Sequence, residues 1–204
     1  MRTISTLGLI VSILALAPAC GSDDIDSDTK ARHAYLGFDV AIDRAINLGF
    51  DGFNAATSAN IPSQDDVGDV EGSMTISGQV DQGASDNKEM RLLIDVVDYD
   101  DGLFDDPTTE DHVEEIHLVY NIDADIGPPA LTMSLRNIPN GTFTGTLVGT
   151  FVLTGDIESH ADFNLALSGD IEDSGGRVIR SPGTLTITGT VTSGDGTYDV
   201  DVMK

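Results

Sequence analysis

The sequence predicts a mainly β fold, in which an antiparallel meander of about eight strands forms a barrel or a strongly curved sheet. One N-terminal amphipathic helix is expected to pack against it. Three observations lead to this fold. Apolar and polar residues alternate over most of the chain after Gln64, turn residues separate the alternating runs, and only residues 30–56 have a helical period. Glycines at inward positions of several runs allow such a sheet to curve strongly.

The first element along the chain is a short apolar segment. Met1-Arg2-Thr3 gives a positively charged start, and residues 4–17 are mostly apolar. A transmembrane helix needs about 20 such residues, so this segment fits a secretory signal peptide better. It ends in Leu-Ala-Pro-Ala-Cys-Gly over residues 16–21, with small residues directly before the single cysteine, Cys20. This ending resembles the lipobox of bacterial lipoproteins.

The lipobox resemblance implies a membrane anchor at Cys20. Residues 1–19 would be the lipoprotein signal peptide, and Cys20 would be lipidated, with palmitate-type acyl chains, and become the mature N-terminus. Two or more acyl chains on one residue give stable attachment, where one chain alone is marginal. Gly21 rather than Asp follows the cysteine, which by the same resemblance favours the Gram-negative outer membrane, on its periplasmic or surface side. The alternative is an ordinary signal peptide with an incidental cysteine nearby.

The next segment, residues 20–29, is short, acidic and almost devoid of apolar residues. A segment of this composition has nothing to bury and is typical of a solvated linker. We therefore expect a tether between the lipidated Cys20 and a single domain over residues 30–204.

Residues 30–56 are predicted to form the helix, with Asp28 or Thr29 as its N-cap. Apolar residues recur at steps of three and four along it, as in Tyr35, Phe38 and Ile42, while aspartates occupy another face. Such a helix covers one face or one opening of a sheet. If Tyr35, Phe38, Ile42 and Phe53 plug a barrel, no cavity for a ligand remains.

The eight strands are predicted from period-two alternation, which places apolar side chains on one face of a sheet. They cover residues 70–80, 90–99, 113–123, 131–135, 143–153, 157–171, 185–191 and 198–203. Asn140-Gly141 predicts a hairpin turn between the fourth and fifth. The outward positions are mainly Thr, Ser, Asp, Glu and Asn, which is unlike the lipid-facing band of a membrane barrel.

The charge and the cysteine content exclude several classes of protein. Asp and Glu number 35 against 10 Lys and Arg, for a net charge of −25. Nucleic acid binding needs cationic side chains on phosphates, so no nucleic-acid partner is expected. One cysteine excludes an intramolecular disulfide framework and a cysteine-rich metal site.

The densest acidic run, residues 95–115, is the candidate metal site. Calcium takes six to eight oxygen ligands, and a loop with clustered carboxylates supplies them. The candidate ligands are Asp98, Asp100, Asp101, Asp105 and Asp106. Their spacing matches no specific calcium motif, and a solvated loop between two strands is the alternative. No other cofactor is expected.

Four histidines are candidate general bases or metal ligands: His33, His112, His117 and His160. His160, for example, shares the outward face of its strand with Glu158 and Asp162. The alternative is that the histidines are exposed and stabilised by nearby acids. No nucleophile motif or phosphate loop accompanies them. We therefore predict no enzymatic activity. The sequence favours a non-catalytic, membrane-anchored lipoprotein whose soluble β domain has a structural or interaction role at the cell envelope. The alternative is a carrier of an apolar small molecule or lipid inside the barrel. A protein partner is not identified by any motif.

Overall fold

The computed structural model describes residues 27–108 and 115–204, which form two α-helices and eleven β-strands. The helices are α1 (Ser27–Leu36) and α2 (Asp39–Ala55). The strands are β1 (Gln64–Val67), β2 (Glu71–Val80), β3 (Lys88–Asp100), β4 (Leu103–Asp105), β5 (Glu115–Ile122), β6 (Ala130–Arg136), β7 (Gly141–Gly155), β8 (Ser159–Ser174), β9 (Arg177–Arg180), β10 (Thr186–Ser193) and β11 (Gly196–Met203).

All described strands belong to one antiparallel sheet with the path β1-β2-β3-β5-β7-β8-β10-β11. β6 lies between β3 and β7 along one half of their length, through residues 88–93 of β3 and 142–148 of β7. β5 lies between the same two strands further along, opposite residues 151–155 of β7. The predicted mainly β, antiparallel fold is confirmed. Among the described strands no pairing joins β1 to β11, so closure into a barrel is not confirmed.

The sheet has eleven strands rather than about eight because three of them are too short to show periodicity. β1 and β9 have four residues each and β4 has three. β1 reads Gln-Asp-Asp-Val, a composition that sequence reasoning assigns to a turn. The predicted hairpin joins β6 and β7, but its loop runs over residues 137–140, since β6 ends at Arg136 and β7 begins at Gly141.

Two helices replace the single predicted helix. The break falls at Gly37 and Phe38, where a Cβ on Gly37 would lie 2.5 Å from the Tyr120 hydroxyl oxygen. A larger residue at this position would require the Tyr120 and Phe104 rings to shift. At the break the Ala34 carbonyl accepts a hydrogen bond from the Tyr120 hydroxyl, at 2.9 Å, and the Phe38 N–H donates to the Tyr35 carbonyl instead. α1 begins at Ser27, so the last three residues of the predicted tether are helical. Asp28 accepts a hydrogen bond from the backbone N–H of Thr197 at 2.9 Å.

The main core lies between the helices and one face of the sheet. Phe38 illustrates it, since its ring centroid lies 4.4 Å from that of Phe151, 4.8 Å from Tyr120, 5.8 Å from Phe163 and 6.2 Å from Tyr99. These four partners come from β7, β5, β8 and β3. One aromatic side chain therefore contacts four strands, and it is fully buried.

The opposite face of the sheet is exposed and largely polar. Thr188, Asn164 and Asp162 are representative of it. Neither α1 nor α2 is long and apolar enough to cross a membrane.

Candidate functional site

The acidic segment at the end of β3 is held by basic side chains from other elements. Asp100 is the last residue of β3, and its side chain is almost fully buried. One carboxylate oxygen accepts a hydrogen bond from the Gly102 backbone N–H at 2.7 Å, and the other lies 2.8 Å from Nε2 of His117 on β5. The Asp100 carboxylate therefore binds both the turn at Gly102 and the side chain of His117.

Asp106 forms a second, deeper cluster with α1. Its carboxylate contacts Arg32 and lies 2.8 Å from Nε2 of His33, and both His33 and Asp106 are buried. The backbone N–H and hydroxyl of Thr108 each donate to its other oxygen at 3.0 Å. Burial alone would raise the pKa of Asp106, but the Thr108 and His33 hydrogen bonds and the Arg32 charge hold it below its ordinary value. The Arg32–Asp106 ion pair therefore links the segment after β4 to α1.

Asp101 belongs to a third cluster, organised by Arg44 of α2. The Arg44 guanidinium lies 3.1 Å from Asp101, 2.8 Å from Asp69 and 3.1 Å from the Tyr99 hydroxyl, and it also donates to the Val67 carbonyl. Burial raises the pKa of Asp101, and the Asp69 backbone N–H and the Arg44 charge offset this only in part. Arg44 thus joins α2 to the β1–β2 turn and the end of β3.

The remaining two candidate ligands lie apart from these clusters. Asp98 has a positive φ of 47° and exchanges hydrogen bonds with the Asn121 side chain, at 2.8 and 3.1 Å. Gly72 faces it on β2, where a Cβ would lie 1.9 Å from the Asp98 carbonyl oxygen, so only glycine fits. Asp105 is exposed on β4.

The five predicted calcium ligands therefore have different partners. Over residues 27–108 and 115–204, no three His, Cys, Asp or Glu side chains form a group suited to a metal ion. Arg44, Arg32 and the histidines occupy positions beside the carboxylates where a cation would otherwise be expected. Calcium binding by this segment stays a prediction, and part of the segment, residues 109–114, lies outside the described residues.

Each histidine in the described residues is paired with an aspartate. In addition to the two pairs above, Nε2 of His160 lies 3.2 Å from Asp123, rather than between Glu158 and Asp162 on its own strand. A carboxylate-oriented imidazole transfers protons well, but catalysis also needs a nucleophile or substrate site within reach. Within the described residues no hydrogen bond joins a histidine imidazole to a Ser, Thr or Cys side chain. His112 and Cys20 lie outside the described residues.

Sequence reasoning missed one surface feature, the exposure of four large apolar side chains on β1, β3, β4 and the turn before β2. They are Val67, Val70, Val97 and Leu103, and we refer to them together as the apolar patch. Val67 and Val97 lie on either side of Ser73 in the strand register, on the outer face. Their exposed fractions are 66% and 53%, and Val70 and Leu103 are exposed to 63% and 60%. The alternation that leads up to Val97 could have revealed its outward position, because Ile94 and Val96 point inward.

A small surface cavity lies where α2 ends, beside the β2–β3 turn. Its volume is about 190 Å³, and it is lined by side chains that include Phe53, Gln82 and Lys88. Pockets that hold small molecules are typically about 300–1,000 Å³ and mostly apolar. The cavity is therefore smaller and more polar than a site for a lipid.

Comparison with known proteins gives no relative for this chain: no protein-family model, no curated protein and no solved structure matches it.

Proposed function

We propose that this chain is a non-catalytic lipoprotein, anchored in the outer membrane through lipidated Cys20, whose β domain contacts another component of the cell envelope. The observation that carries the contact role is the outer apolar patch. Contiguous exposed apolar groups with a polar rim mark interaction sites, and in our proposal the four exposed side chains form such a surface. Carboxylates surround the patch, among them Asp65, Asp69 and Asp95. A partner with apolar and cationic side chains complements this surface.

The packing of α2 argues against the alternative, a carrier with an apolar ligand inside the sheet. Ile42, Ile46 and Phe50 of α2 are almost fully buried, and the Phe50 ring centroid lies 5.6 Å from that of Phe143 on the inner face of β7. In our proposal the sheet curves around α2, so that the helix fills the space that a ligand would need. Two contacts of α2 support this curvature. Arg44 reaches the Val67 carbonyl at the end of β1, and Asp43 lies 3.5 Å from Nζ of Lys204, which follows β11.

The proposal is tested by site-specific photo-crosslinking in the bacterium that encodes the chain. A photoreactive phenylalanine analogue replaces Val97 in the patch. We expect a crosslinked product of one defined mass in the membrane fraction, because a docked partner lies against this side chain. The Cys20→Ala variant should move to the soluble fraction, because the acyl anchor is lost.

The matched control carries the analogue at Ala166, which is also exposed on the outer face but lies on β8, away from the patch. We expect no such product there. Equal products at both positions, or none at Val97, would refute the contact surface. Retention of Cys20→Ala in the membrane fraction would refute the lipid anchor.

A further inference from the structure

The edge strand β11 has main-chain groups without partners in the described part of the chain. β11 pairs only with β10. Leu185 and Lys204 exchange both backbone hydrogen bonds, at 3.0 and 2.8 Å. Because hydrogen-bonded positions alternate along an antiparallel strand, Val202 and Val200 also bond to β10. The N–H and C=O groups of Asp199, Asp201 and Met203 then point away from the sheet.

The backbone N–H of Thr197, at the start of β11, also points away from β10. It donates to the Asp28 carboxylate of α1 rather than to β10. Beyond Thr197 no hydrogen bond to the outward backbone groups is present among the described residues. Buried backbone groups nearly always have a protein partner, so these groups face water.

Proline, a bulge and lysine, three of the usual protections against strand addition, are absent within β11, which reads Gly-Thr-Tyr-Asp-Val-Asp-Val-Met and pairs in an unbroken register. α1 contacts the start of the strand through Asp28 and Tyr35. Asp199 and Asp201 are its only charged residues, and both are exposed. Among the described residues neither forms an ion pair.

The charges of Asp199 and Asp201 determine which kind of strand can pair with the edge of β11. A second copy of β11, or any acidic strand, would place carboxylates opposite Asp199 and Asp201, and like charges directly opposite are destabilising. A strand with Lys or Arg at alternate positions would place cations there instead, beside Thr188 and Thr190. Its intervening residues would lie on the side of buried Val200, where apolar side chains fit. The net charge of −25 adds long-range attraction for a cationic segment.

We propose that the free edge of β11, from Asp199 to Met203, binds an extended segment of another protein in which cationic and apolar residues alternate. The segment adds one strand to the sheet. Main-chain hydrogen bonds supply affinity, and Asp199 and Asp201 supply the preference for cations. This inference rests on the proposed contact role and names the chemistry of a partner, at a surface separate from the apolar patch.

The test uses the full-length processed protein in detergent and a fluorescently labelled peptide of alternating valine and lysine, six residues long. We expect it to bind at least about tenfold more tightly than a peptide of the same composition with three valines followed by three lysines, measured by fluorescence anisotropy. The charge attraction is equal for both peptides, whereas only the alternating one places its lysines on one face of a strand.

Asp201→Pro separates strand addition from simple charge attraction. The N–H of Asp201 points away from β10, so proline removes an outward donor without removing a bond of the β10–β11 ladder. We expect it to lower affinity about tenfold or more, and the matched Asp201→Asn variant to lower it less. If Asp201→Pro does not fold, the Asp199→Lys/Asp201→Lys variant replaces it, and it should bind an alternating valine–glutamate peptide instead of the lysine peptide.

Equal binding of the two lysine peptides, or no binding of either, would overturn the inference. A concentration-dependent dimer in sedimentation that Asp201→Pro abolishes would also overturn it, in favour of a second copy of the chain. If crosslinking at Val97 succeeds while the peptide tests fail, only the strand-addition inference is lost. If crosslinking fails and peptide binding succeeds, the contact role moves from the patch to the β11 edge.

Discussion

Replacing Phe38 with Asp should unfold the domain or lower its melting temperature by roughly 10–20 °C. Truncating a buried Phe costs about 3–5 kcal/mol, and an unpaired carboxylate among the rings of β3, β5, β7 and β8 adds a desolvation cost. The sum is comparable with the whole stability of an ordinary domain, about 5–15 kcal/mol. Thermal unfolding followed by circular dichroism measures the effect.

The control for this prediction is Val40→Asp, two residues further along, where the side chain is 52% exposed. We expect the free energy of unfolding to change by no more than about 0.5 kcal/mol in this variant, as for most surface substitutions. If Phe38→Asp cannot be isolated as a folded protein, Phe38→Leu should still melt measurably below the unmodified chain. An unchanged melting temperature for Phe38→Leu and Phe38→Asp would mean that the helices do not contribute to the core.

Replacing Arg44 with Leu should lower the free energy of unfolding by about 2–3 kcal/mol. The substitution leaves the partly buried Asp101 without its cation and the Val67 carbonyl without a side-chain donor. Breaking a fully buried ion pair costs about 3–5 kcal/mol, and the Arg44 side chain is 23% exposed, so a smaller loss is expected. Urea unfolding at constant ionic strength measures it. Arg91→Leu is the matched control, because its pair with Asp81 is exposed to solvent and such pairs contribute little to stability.

The loss of stability caused by Arg44→Leu should also depend on pH. Burial raises the pKa of Asp101 above its unfolded value, so the folded state binds this proton more readily and protonation of Asp101 stabilises it. Removing the guanidinium raises that pKa further. The difference between Arg44→Leu and the unmodified chain should therefore be largest near pH 7 and shrink as the pH falls toward 4. A difference that is constant over this range would contradict the role given to Asp101.

Local periodicity was sufficient to predict the long strands. In β2 the alternation of Met74 and Ile76 with Thr75 and Ser77 matches their burial, and β3 behaves in the same way. The short strands β1, β4 and β9 form because neighbouring strands present hydrogen-bonding edges, and a sequence of three or four residues does not encode that. At the break between α1 and α2 the Ala34 carbonyl accepts a hydrogen bond from Tyr120, 86 positions away in the chain, and such a contact cannot be read from local periodicity.

The side-chain clusters could not be predicted for a similar reason. His33 and Asp106 are separated by 73 positions and Arg44 and Asp101 by 57, so their pairing depends on the tertiary fold. Sequence reasoning grouped the carboxylates of residues 95–115 because they are close in the chain. Strand geometry separates them, since the bulge near Asp98 and the turn at Gly102 direct successive side chains to different elements.

Native mass spectrometry of the processed protein, purified in mild detergent and then released from it, tests the central claim most directly. The account predicts the mass of the lipidated chain with no additional lipid or small molecule bound, because Phe38, Ile42 and their neighbours fill the inner face of the sheet. A stoichiometric apolar adduct that survives in the Cys20→Ala chain would contradict it. The protein would then be a carrier, with α2 displaced from the sheet to make room for the ligand.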